Sequence, residues 1–239
     1  MFTWENTWKE IEDSGVDVAV VPVGSTEQHG THMPLSTDTV VAEEIAKVIA
    51  QELDAYLTPF IPIGQSEMWL EYPGSLSVSE DTMKAIIADV VDSLVKTGFK
   101  TIMFISFHGA NVVVYRGFPE SLQDKYDGIK VFTAGYPFWV RENWARIWAE
   151  SLEESGLPEM NHADEAETSL LLALRPELVG PNPTDCPLPD NRYPPDKTMR
   201  QTYPSGSMGH GSKASKEKGE KLWAAVKKRV LEDVKTQLD

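Results

Sequence analysis

Glu27 and His29 stand two residues apart in a stretch, 18–38, where an apolar run gives way to side chains able to hold a cation. On extended chain, residues two apart leave the same face, so a carboxylate and an imidazole point together. Asp38 follows where a helix is expected to begin. Carboxylate mixed with imidazole suits zinc, manganese or iron, and soft thiolate is absent from the stretch. These residues read as the core of a metal site whose remaining ligands come from elsewhere in the chain.

The five histidines, His29, His32, His108, His162 and His210, all fall in polar, glycine-containing or helix-opening contexts. His108-Gly-Ala-Asn111 has small residues behind its histidine, which let backbone approach a ligand closely. Asn111 there serves either as a helix cap or as a substrate contact. In His162-Ala-Asp-Glu-Ala-Glu167 the acids lie in the first turn of a helix, where the macrodipole favours negative charge in any case. The residues alone therefore leave open which of Asp164, Glu165 and Glu167 is a ligand. Gly206-Ser-Met-Gly-His-Gly211 reads as a loop bringing polar groups, His210 among them, over a site. Glu67, Trp69 and Tyr72 in the loop 65–74, and Trp139 further on, are candidate pocket walls.

The elements expected to position these groups alternate between strand and helix. Strands are expected at 18–23, 55–63, 100–107 and 129–134. Helices are expected at 38–53, at 80–95, through Trp144 and Trp148, from 162 to 174, and at 215–238. This alternation predicts an α/β fold with a mostly parallel sheet covered on both faces, whose ligands gather beyond the strand C-termini. His29 and His108 are both expected there. The stretch 180–204, rich in proline and polar residues, is expected to be an ordered excursion or an oligomer contact.

At 239 residues, 25% charged and 41% hydrophobic, the chain fits one soluble globular domain spanning 1–239. The formal net charge of -15 argues against nucleic acid and anionic membranes as partners. No apolar run reaches membrane-spanning length, and the first residues lack a signal peptide's basic and apolar regions, so the expected compartment is the cytoplasm. The single cysteine, Cys186, excludes an intrachain disulfide and reads as structural or incidental.

The block Gly24-Ser-Thr-Glu-Gln-His-Gly-Thr-His-Met-Pro-Leu-Ser-Thr-Asp38 resembles the signature of the creatininase (creatinine amidohydrolase) family. The resemblance continues through Tyr72-Pro-Gly-Ser-Leu76, His108-Gly-Ala-Asn111, His162-Ala-Asp-Glu-Ala-Glu-Thr-Ser169 and the segment 206–219. It implies a three-layer αβα fold, a two-metal hydrolase site and a homohexamer. It also implies Glu27, His29, Asp38, His108 and Glu167 as ligands of two divalent ions, zinc first, with manganese or iron as alternatives, and Asp38 as the bridge. His162 would transfer protons, with Glu167 also counted among the catalytic groups. Four departures fall near the implied pocket. Gly109 and Ala110 stand where creatininase carries Tyr and a metal-binding Glu, Asp164 replaces a usual glycine, Met68 a frequent histidine, and Ser106-Phe107 a usual Asn-Gly. These departures set the pocket apart from that of creatininase, and the implied substrate is a small polar metabolite cut at a cyclic amide or formamide C–N bond. Alternatives are ring opening of an inositol-derived cyclic diketone of the 3-dehydro-scyllo-inosose type, or a non-catalytic metabolite-binding protein with a structural metal.

Overall fold

A computed structural model describes residues 1–134 and 142–238. In chain order the elements are β1 (Phe2–Thr3), α1 (Trp8–Ser14), β2 (Val18–Val23), α2 (Thr37–Glu52), β3 (Tyr56–Leu57), α3 (Glu80–Lys96), β4 (Thr101–Ser106), α4 (Val112–Tyr115), α5 (Phe118–Leu122) and β5 (Lys130–Ala134). They continue with α6 (Glu142–Glu154), α7 (Glu165–Leu174), β6 (Asp185–Cys186), α8 (Met199–Thr202), β7 (Gly209–His210) and α9 (Lys216–Leu238).

The first five strands form one parallel sheet in the order β1-β3-β2-β4-β5. From Ala19 to Val23 and from Ile102 to Ser106 every residue of β2 and β4 is buried, as expected of strands covered on both faces. Helices α2, α6, α7 and α9 contact one another and form one layer, while α3, α4 and α5 form another. The result is the expected three-layer α/β architecture. Strand order reverses around β2, because the chain runs from β2 to β3 on one side and returns to β4 on the other. The register pairs Val18 with Thr101 and Val23 with Ser106, so both strands end level and release their loops side by side. This is the crevice where open α/β sheets hold ligands.

The expected strand 55–63 shrinks to Tyr56–Leu57, because Pro59 and Pro62 offer no N–H to a ladder. The segment still follows β2, since Thr58 N–H donates to the Val20 carbonyl at 3.0 Å and Ile61 N–H to that of Pro22 at 2.9 Å. The helix expected from residue 162 begins only at Glu165, capped by Asp164, which leaves His162 on a loop. The excursion 180–204 is ordered: Tyr203 and Met199 pack with Trp69, Tyr72 and Met208 in a small second core. Helix α1, its Thr7–Glu10 capping box, and the antiparallel pair β6–β7 were not anticipated.

Two glycines allow close approaches. A Cβ on Gly24 would overlap the backbone of Thr39, so the bare glycine lets the end of β2 touch the first turn of α2, beside Asp38. A Cβ on Gly219 would overlap the Ser169 carbonyl, where α9 crosses α7. Gly219→Ala should therefore destabilise the fold by about 2–3 kcal/mol despite the higher helix propensity of alanine. Urea unfolding of the two proteins measures this, and an unchanged or raised midpoint would show that the helices can move apart.

Candidate metal centre

The loop after β2 brings Glu27 and His29, the first turn of α2 brings Asp38, the end of β4 brings His108, and the start of α7 brings Glu167. All five are buried, the three carboxylates at 1%, 2% and 6% exposure. Asp38 is central. Its Oδ2 lies 2.8 Å from His108 Nδ1, and Glu27 Oε1 lies 3.4 Å from the same nitrogen. Asp38 Oδ1 lies 3.2 Å from His29 Nε2, which faces Glu167 Oε2 at 3.8 Å. Two triads result, Glu27/Asp38/His108 and His29/Asp38/Glu167, each with its candidate ligand atoms within 4.8 Å of one another, and Asp38 belongs to both. A third grouping joins Glu27, His29 and His162.

The ring orientations are the sharpest observation. His29 Nδ1 donates to the Glu27 carbonyl at 3.0 Å, His108 Nε2 to the Gln65 carbonyl at 2.9 Å, and His162 Nε2 to the Gln28 carbonyl at 2.6 Å. A carbonyl can only accept, so these bonds place hydrogen on each outer nitrogen, although the Gln28 side-chain Nε2 also stands 2.8 Å from His162 Nε2, and the inner nitrogen of each ring turns toward the carboxylates. Outer hydrogen bonds of this kind hold metal-ligating histidines in register. Asp38 is steadied by Ser25 Oγ, which donates to its Oδ2 at 2.7 Å, and Ala163 N–H donates to Glu167 Oε2 at 2.7 Å. Ala163 makes that bond from a left-handed backbone conformation (φ 50), strain of the kind found where a site fixes its geometry.

The electrostatics fit a cation. Burying carboxylates is costly unless they are paired or coordinate a metal, and among the described residues no lysine or arginine pairs with Glu27, Asp38 or Glu167. Glu27 Oε2 and His29 Nε2 are buried without a hydrogen bond. Burial opposes a charged imidazole, yet the carboxylates overcome it, holding His29 up at about 10, chiefly through Asp38, and His108 up at about 9, chiefly through Glu27. Burial pushes Glu27 up to about 7 and Glu167 well above the usual carboxylate range. His162 is held well below its ordinary value, by burial first and then by His29. The donor set, its burial and its inward-facing ring nitrogens together fit divalent cations.

The other candidates divide. Asp164 is the cap of α7, its Oδ1 accepting from Ala166 and Glu167 N–H, and Glu165 pairs with Lys218. Trp69 is buried and stacks on the His162 ring, centroids 4.2 Å apart and planes 15° from parallel. Glu67 is exposed and outside the cavity lining, whereas Met68 and Trp69 of the same short helical turn, 67–69, both line the cavity. Tyr72 spends its hydroxyl on the Tyr203 carbonyl at 2.6 Å, tying down the excursion. Asn111 is neither a side-chain cap nor cavity-facing: its Nδ2 donates to the Gly24 carbonyl and its Oδ1 accepts from Gln65 N–H, clamping three loops. His210 is 41% exposed and faces Asp185 at 3.6 Å, while Met208 of the same loop lines the cavity instead. Trp139 lies outside the described residues. His32 is buried, with Nε2 2.9 Å from Thr168 Oγ1.

The cluster floors a cavity of about 440 Å³ walled by Trp69, Phe107, Met160 and Met208. Gly109 and Ala110 also line it, so at those two positions nothing larger than a methyl enters. Sequence reading missed Ser25 and Gln28, whose only signal was their place inside the motif, and Arg192 at the cavity mouth, which had none.

A sequence model of the family described as creatininase, creatinine amidohydrolase, matches residues 4–234. The chain is 28% identical to a creatinine amidohydrolase of Pseudomonas putida over 92% of this chain and 90% of that one. It is 31% identical to a mycofactocin precursor peptide peptidase of Mycolicibacterium smegmatis, over 70% of this chain and 61% of that one. A 3-dehydro-scyllo-inosose hydrolase of Thermotoga maritima is 28% identical over 72% of this chain and 56% of its own. The last two matches span less than two thirds of those relatives. A solved structure designated creatininase Mn superposes with a TM-score of 0.81 at 24% identity, covering 98% of both chains, which shows the shared fold.

Proposed function

The chain belongs to the creatininase family and is a metal-dependent hydrolase, and from that premise we propose that it cuts a C–N bond in a small polar molecule, a cyclic amide or formamide. The observation that carries the site assignment is Asp38, whose two oxygens face two separate triads. Glu27 and His108 would hold one divalent ion and His29 and Glu167 a second, with Asp38 between them. Carboxylate and imidazole ligands suit zinc, with manganese or iron as alternatives. Bound there, such ions supply a hydroxide nucleophile at neutral pH and Lewis acidity at a carbonyl oxygen.

The chain's own residues do the rest. His162, neutral and with its bare Nδ1 turned inward, accepts a proton from the attacking water and returns it to the leaving nitrogen. Trp69 fixes the plane of that ring, and the Gln28 carbonyl fixes which nitrogen carries its hydrogen. Glu167 is both ligand and neighbour of the reacting centre, while Phe107, Met160 and Met208 exclude bulk water. Two relatives named above act, by name, on an amide and on a peptide, which favours C–N cleavage. The third keeps open a second reading, hydrolytic opening of a cyclic diketone.

We also propose one catalytic domain over 1–239, a homohexamer by family resemblance, and a cytoplasmic location. Among the described residues no helix is long and apolar enough to cross a membrane. The test of function is a panel of cyclic amides, formamides, short peptides and cyclic diketones, assayed with zinc-, manganese- or iron-reconstituted protein before and after chelation. Metal-dependent release of an amine or ammonia supports the C–N reading. Turnover of the diketone alone would replace it.

A further inference from the structure

The cavity mouth carries a cation that neither the metal cluster nor the proton transfer uses. Among the described residues lining the cavity, Arg192 is the only lysine or arginine. It is a built feature of the excursion. Its Nη1 donates to Asn161 Oδ1 at 2.7 Å, and Asn161 N–H in turn donates to Asp164 Oδ2, the cap of α7, at 2.6 Å. Its own carbonyl accepts from Tyr203 Oη at 3.0 Å, and Tyr203 is itself tied to Tyr72. The guanidinium is thus positioned by the helix that carries Glu167 and by the loop that carries Trp69.

Only two contacts of the five-donor guanidinium are made within the described residues, the Asn161 bond and a 3.2 Å pair between Nη2 and Glu159 Oε2. Glu159 also lines the mouth, and both side chains of that pair are more than two fifths exposed, at 44% and 49%. Exposed pairs of this kind contribute little, so an incoming anion can share or replace Glu159 without a large penalty. Guanidinium takes a carboxylate through two parallel hydrogen bonds, a geometry that lysine does not match.

We infer that Arg192 reads a carboxylate on the substrate, so that the molecule cut at the metal cluster is an amide or formamide bearing a free carboxylate at its far end. This rests on the C–N hydrolase reading and narrows its substrate class. It also gives Glu159 a role, as the anion that the substrate carboxylate shares or displaces at the mouth. A neutral polyol ketone would have no use for this cation.

The test uses the zinc-reconstituted full chain and a matched pair of probes, N-formylglycine and N-formylglycinamide, which differ in one carboxylate. Binding is measured by calorimetry and hydrolysis by release of formate. The wild type should prefer N-formylglycine by about tenfold in affinity, the scale of one charge-assisted contact. Arg192→Gln should erase that preference, Arg192→Lys should restore part of it, and Glu159→Gln should increase it. Circular dichroism and metal content should match the wild type in all three variants, since both positions are half exposed. A preference that survives Arg192→Gln would mean that the metals read the carboxylate, and no preference in the wild type would mean that nothing does; either overturns the assignment. Preference in binding that depends on Arg192, without formate release from either probe, keeps Arg192 as a carboxylate reader while removing the C–N reading.

Discussion

Asp38→Ala should abolish metal binding and lower activity by about 10⁴-fold or more, to background. The size of the effect follows from geometry. Any other ligand belongs to one of the two triads that share Asp38, but Asp38 lies 3.2 Å from His29 on one oxygen and 2.8 Å from His108 on the other. Its removal also withdraws the main charge that keeps His29 protonated when no metal is bound. Asp38→Asn separates charge from shape, because it keeps the side chain's volume beside Ser25 and should fold normally while still failing to hold metal. Elemental analysis after reconstitution measures this directly. Stoichiometric metal in both variants would remove the site assignment altogether.

A companion measurement fixes the sign of the pH effect. With His29 held up at about 10 and His108 at about 9, both imidazoles are charged at neutral pH in the metal-free cluster. A cation must displace those protons, so its affinity should rise as pH rises toward those values, and binding should release protons. Calorimetry in two buffers of different ionisation enthalpy counts them. An affinity that is flat between about pH 6 and 8 would contradict this picture of the cluster.

His162→Asn should leave the metal content unchanged and lower kcat by about 10²–10⁴-fold, with a smaller change in KM. The ring is sandwiched, with Trp69 stacked at 4.2 Å and His29 at 4.3 Å, and its outer nitrogen is committed to the Gln28 carbonyl. Burial keeps the ring neutral, reinforced by the charge on His29 when no metal is bound. A base whose pKa is depressed stays competent as pH falls, so the acidic limb it contributes to the kcat profile should lie below pH 6.5. His162 Nδ1 also lies 3.5 Å from Glu27 Oε1, within reach of a shared ion. Loss of an equivalent of metal in the variant would therefore reassign His162 from proton carrier to ligand.

The same contrast explains what could be read in the sequence. Periodicity marks β2, α2, α3, β4 and α9 because each buries one face or two, and burial writes itself into residue type. The strand expected at 55–63 failed because two prolines interrupt the ladder without changing the apolar run. Glu27, His29 and Asp38 could be recognised together because they share one short segment, and His108 because it ends a strand.

What the sequence determined by itself was the donor chemistry: acid and imidazole without thiolate, at strand ends, in a chain of formal net charge -15. Tertiary structure decided everything that depends on direction. Asp164, Glu165 and Glu167 are equivalent in sequence, yet one caps its helix, one pairs with Lys218, and one turns to His29. Asn111 and Tyr72 carry polar groups that suit a ligand, but the fold spends them on neighbouring carbonyls. Arg192 reaches the cavity only because an excursion packs back onto the loop around Trp69. A side chain's type is local, but the partner that claims its hydrogen bonds is set by contacts between segments distant in sequence, such as Tyr72 with Tyr203 and Asn111 with Gly24.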